Sequence, residues 1–162
     1  MRKRGPYNRA GYLIQAFAMK TRHQALLEEA IGLELSTFSI EVHEHPKGSG
    51  NISEELMSLA FKSPTASASI LVRGNSSADQ FTIEKVTQTS VDMAEYGRTL
   101  ILPISHHEAT RATVVRSVTL RKTQHSEEIR FGLSNGKELH LTYEGDCLRM
   151  NLPIPQVSAG SA

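Results

Sequence analysis

Between residues 41 and 45 the chain reads Glu41-Val42-His43-Glu44-His45. In an extended backbone, side chains two apart point to the same side, so a strand here sets Glu41, His43 and His45 on one face. Two imidazoles and a carboxylate form a donor set suited to Zn²⁺ or Fe²⁺. A divalent metal held there would make the chain a small metal-dependent enzyme, with Glu41 as ligand or base. His106 and His107 follow the apolar run Thr99 to Ile104 and complete such a site if the fold carries them to His43 and His45. The same alternation also has a plainer reading, a solvated strand face with Phe38, Ile40 and Val42 turned to the core.

A second group of residues speaks for binding. Arg2, Lys3, Arg4 and Arg9 stand beside Tyr7, Asn8 and Tyr12. Cations neutralise phosphates, Asn donates to them, and tyrosine rings stack on bases. Arg111, Arg116, Arg121 and Lys122 lie in a stretch without an acid from Ala109 to Ser126. Either set fits nucleic acid or the acidic surface of a protein partner. The net charge of +1 conceals this asymmetry, because residues 1–27 carry six cations and no acid while the rest carries 12 cations against 17 acids.

Other chemistry finds little support. The Gly-x-Ser-x-Gly spacing occurs only at Gly132-Leu133-Ser134-Asn135-Gly136, where a hairpin pattern stands in place of the strand-to-helix turn a serine nucleophile needs. Cys147 follows Asp146, whose charge would raise the thiol pKa and lower its reactivity. The segment Gly132-Leu133-Ser134-Asn135-Gly136-Lys137 is one residue too short for a phosphate loop, and a strand pattern follows where a helix N-terminus is needed. The carboxylates are scattered, and no pair stands out for acid–base work. We assign no catalytic residue and expect no cofactor, a divalent metal being the alternative.

The elements that must position these residues follow from periodicity. Residues 9–32 read as helix, closed by Gly32. From Leu35 the period changes to two, giving a strand through Val42 that ends in the loop 46–50. Asn51 or Ser53 can cap a helix of about ten residues with Leu56, Leu59 and Ala60 on its apolar face, and Pro64 stops it. Residues 66–73 and 80–89 form a hairpin, and Thr99 to Ile104 reads as a central strand buried on both faces. Ala109 to Lys122 reads as helix to about Thr113 and strand beyond. A three-strand meander follows, turning at Asn135-Gly136 and at Gly145-Asp146.

These elements predict an α+β fold. An N-terminal helix and one further helix pack on a mainly antiparallel, strongly curled or two-layer sheet of six to eight strands. The divisions are a basic arm and helix at 1–34, a core domain at 35–155 and a flexible tail at 156–162. With 162 residues and 39% apolar content, the chain can bury a core unaided. One cysteine excludes a disulfide scaffold, and no apolar run reaches the ~20 residues of a membrane span. Tyr12 to Met19 is short, is interrupted by Gln15 and lacks a following cleavage site, so a cytoplasmic, intracellular protein is expected. No motif identifies a family. The expected function is a non-catalytic binding or assembly protein that contacts nucleic acid or an acidic partner through its basic arm. Exposed sheet edges would favour self-association. A structural subunit of a larger homo- or hetero-oligomeric assembly is a further alternative.

Overall fold

The structure is a computed structural model that describes residues 21–75, 80–87, 97–104 and 113–152. Within them nine strands join in one antiparallel sheet that does not close on itself. They are β1 (Ser39–Glu44), β2 (Ile52–Lys62), β3 (Ser69–Asn75), β4 (Gln80–Val86), β5 (Arg98–Pro103), β6 (Val115–Lys122), β7 (Glu127–Leu133), β8 (Glu138–Glu144) and β9 (Cys147–Met150). Residues 21–28 are helical, and a 3-10 turn at Leu35–Thr37 leads into β1.

β2 is the hub. Its second half carries β1 on one edge and β3 on the other, and nearer its start Leu56 pairs with Leu148 of β9. The sheet therefore branches into β3–β4 and into β9–β8–β7–β6, while β1 holds β5 on its far side. The expected helix after Asn51 is thus replaced by a strand. The helical spacing of Leu56, Leu59 and Ala60 misleads because Ser58, Leu59, Ala60 and Phe61 are all buried. Neighbours on a strand point to opposite faces, so burial on both erases the period of two. Ser58 pairs with Glu41 and Leu56 with Val42, which leaves Met57 unpaired at a bulge.

Two further expectations change. Among the described residues the strands number nine rather than six to eight. Thr99 to Ile104 is not central, since among the described strands β5 pairs with β1 alone, and its residues are half-buried or exposed until Ile104. The hairpin of β3 and β4 and the meander of β7, β8 and β9 form as expected. Gly145 and Asp146 both take positive φ, 56° and 63°, as a two-residue turn between twisted strands requires.

The core draws on both branches. Phe38 stacks on Phe61 at 4.9 Å between centroids and meets Phe131 edge-on at 5.7 Å. Phe61 lies on β2 and Phe131 on β7, strands that are not neighbours in the sheet. Such ring pairs contribute about 0.5–1.5 kcal/mol beyond the area they bury. From the helical end Leu27, Ala30 and Leu35 enter the same cluster. The helix gives way to turns by Gly32, whose φ of 90° is the left-handed conformation common at helix ends. No helix among the described residues is long and apolar enough to cross a membrane.

Candidate functional site

The face holding Glu41, His43 and His45 forms only in part. The His43 and His45 rings lie nearly parallel, 6.1 Å apart at 19°. Glu41 is diverted. It is 4% exposed, and Ser58 Oγ donates to its Oε2 at 2.5 Å. Its Oε1 is buried without a hydrogen-bond partner. A solvated face is therefore wrong for Glu41, because β2 and β5 flank β1 and enclose the side chain. Among the described residues no three His, Cys, Asp or Glu side chains converge as a metal site would require. His106 and His107 lie outside the described residues.

One residue on, Glu44 organises the loop that follows. Gly48 N–H and Gly50 N–H each donate to its carboxylate at 2.9 Å. Arg98 Nε, at the head of β5, donates to the same group. The Arg98 hydrogen bond, followed by those from the loop amides, outweighs burial and holds the carboxyl down at about 2. Arg98 is thereby tied to its own chain. Sequence reading passed over this residue; its only signal was a glutamate shortly before two glycines.

The sheet's strand edges differ in how they are covered. On β4 the Phe81 N–H donates to the Glu127 carboxylate at 2.5 Å. Lys85 Nζ lies 2.7 Å from Glu29, whose carboxyl is held below its ordinary range by hydrogen bonds from Lys85 and then Ser63. On β6 the segment 32–35 runs alongside. Gly32 N–H donates to Val115 O, Val115 N–H to Leu33 O and Leu35 N–H to Thr113 O. The Gln24 side-chain amide covers Val118 O at 3.0 Å.

Among the described residues β5 has no such cover. Ile104 N–H donates to Phe38 O, in step with the pairing of Ile40 with Leu102 and Val42 with Leu100. In an antiparallel pair a residue's N–H and C=O point the same way, and the direction alternates along the strand. Leu100 and Leu102 thus turn their backbone groups toward β1, while Thr99, Ile101 and Pro103 turn theirs away. These outward groups make no backbone hydrogen bond among the described residues. Ile101 is 43% exposed and Met57, at the bulge, 39%. Thr99 Oγ1 reaches to 3.8 Å from Met57 Sδ, so the three form one patch.

The remaining residues singled out by sequence fall as follows. Arg2, Lys3, Arg4, Tyr7, Arg9 and Arg111 lie outside the described residues. Arg116 is the exposed extra residue at a bulge between Val115 and Ser117. Arg121 and Lys122 are exposed, and the register sets them opposite Glu128 and Glu127, which places acids beside this basic stretch. The Cys147 Sγ donates to Glu55 Oε1 at 3.1 Å, and this bond, with burial, raises the thiol pKa. The direction is as expected, but its main source is Glu55 across the sheet rather than Asp146. No protein-family model matches the chain, and neither a curated protein nor a solved structure is similar to it.

Proposed function

We propose that this chain is a non-catalytic binding and assembly protein that takes up a partner strand along β5. One observation supports the reading. Among the described residues Thr99, Ile101 and Pro103 present outward backbone groups without partners, beside the exposed Ile101 and Met57. A strand added to such an edge gains main-chain hydrogen bonds and apolar contact together. The probe is a fluorescent peptide with the sequence of residues 98–103. We expect saturable binding to the dilute full chain, and loss of binding in Ile101→Pro. That change removes an outward N–H and leaves the groups paired with β1 in place. Ile101→Lys is the second variant, because a charge on an edge opposes pairing. No binding by the parent chain, or variants that bind as tightly as the parent, overturns strand addition.

The basic arm supports a second proposal, contact with nucleic acid through Arg2, Lys3, Arg4, Tyr7 and Arg9. The observation behind it is the six cations and no acid within residues 1–27. Removing residues 1–9 should weaken single-stranded DNA binding at low salt and flatten its salt dependence. Binding unchanged by the truncation sinks it.

A further inference from the structure

We infer that the strand received by β5 is β5 of a second copy of this chain, paired antiparallel about a two-fold axis at Ile101. The inference rests on the reading of β5 as a strand-addition edge and names its occupant.

The backbone fits this register. Thr99, Ile101 and Pro103 are the residues whose groups face outward. A two-fold axis at Ile101 sets it against the partner subunit's Ile101, and the two exchange both N–H···O bonds. Thr99 then faces the partner's Pro103. Proline has no N–H, so this pair forms one bond, from Thr99 N–H to the proline carbonyl, and symmetry repeats it on the other side. The residue that cannot donate falls at the rim, where water satisfies the Thr99 carbonyl left over.

The side chains agree. Ile101 is among the three large apolar side chains that stand most exposed among the described residues, and Met57 beside it is another. The register buries apolar surface against its own copy across the axis, an isologous contact. A register centred one residue earlier sets each Ile101 against a hydroxyl-bearing Thr99.

Charge favours a copy over a charged partner. Arg98 is the only ionised side chain of β5, and Glu44 of the same chain neutralises it. In the proposed pairing it falls opposite the partner's Ile104, so no like charges meet. The β4 and β6 edges are less suited, since each is held in part, Phe81 by Glu127 and Val115 by the segment 32–35, and each carries charge, at Glu84 and Lys85 and at Arg121 and Lys122.

The test combines solution mass with a cross-link on the full chain. Sedimentation equilibrium should show a reversible monomer–dimer equilibrium. Ile101→Lys should raise the dimer dissociation constant at least about tenfold, with the far-ultraviolet circular dichroism unchanged. In a Cys147→Ser background, Ile101→Cys should form an interchain disulfide under mild oxidation. Paired Cα atoms there sit about 5.5 Å apart, within disulfide reach. Thr99→Cys should not, because its two copies lie four residues apart along the strand, about 13 Å. A chain that stays monomeric at millimolar concentration while still binding the 98–103 peptide overturns the second copy and leaves strand addition standing. A monomer that also ignores the peptide overturns both. A dimer that survives Ile101→Lys, or that cross-links through Thr99→Cys in preference, overturns the register.

Discussion

β4 and β5 are both strands with one neighbour, on opposite flanks of β2, yet they are finished differently. β4 receives a carboxylate from β7 on its Phe81 N–H and carries Lys85, locked to Glu29, toward its other end. β5 is uncharged beyond Arg98 and shows Ile101 to solvent. Natural sheets blunt their edges with charge, proline or a covering segment. Here two edges are blunted and a third ends only in Pro103. The difference shows that covering an edge was within this fold's means, which gives the uncovered one its interest as an interface.

The comparison can be broken most severely from the core that both branches share. Phe131→Ala should cost about 3–5 kcal/mol, read by urea denaturation, and should loosen the β4 and β5 edges together. Amide exchange that rises at β7 alone would show the branches to be independent. Next comes Glu127→Ala, which leaves Phe81 N–H without its acceptor. The expected loss is about 1–3 kcal/mol, with a second open edge as consequence. Association of Glu127→Ala that persists when Ile101→Lys is added would mark that new edge.

The third test uses pH. Glu44 has a folded-state pKa depressed to about 2 from an ordinary value near 4.5. Its contribution is complete above the unfolded value and is lost as pH falls from there toward about 2. Glu44→Gln should therefore lie below the parent in stability at pH 6, with the gap closing toward pH 2. A gap that stays constant across that range would detach Glu44 from the order of the 45–50 loop and of Arg98. The smallest effect belongs to Lys85→Ala. Its ammonium is about a third exposed, so the loss should stay within about 0.5 kcal/mol, and 1 M salt should erase most of it.

Part of this architecture was legible in the sequence. Ile129, Phe131 and Leu133 alternate cleanly, and the Asn-Gly and Gly-Asp turns carry their own conformational logic, so the meander could be read directly. β2 was not legible, because burial on both faces removes the alternation that marks a strand. β5 was misjudged for the converse reason. An unbroken Leu100-Ile101-Leu102 run looks central, yet Ile101 faces water. The shared face of His43 and His45 was foreseen, whereas Glu41's turn toward Ser58 depends on a strand expected to be a helix. Glu127 gave no signal, since an acid at a strand head usually marks solvent and here caps an amide far away in sequence.

That last contact also has a bearing on the order of events as the chain leaves the ribosome. Gln24 is made 94 residues before the Val118 carbonyl it covers, so β6 emerges to find its guard already synthesised. Glu127 comes 46 residues after Phe81, so β4 waits, unguarded, for a residue still to be added. The nascent chain thus passes through a window in which β4 is as open as β5. Domains that expose unpaired strands during synthesis are prone to aggregate. Pulse-labelled amide exchange during refolding would register the delay as late protection of Phe81 relative to Val115, and simultaneous protection would show that the window closes as fast as it opens.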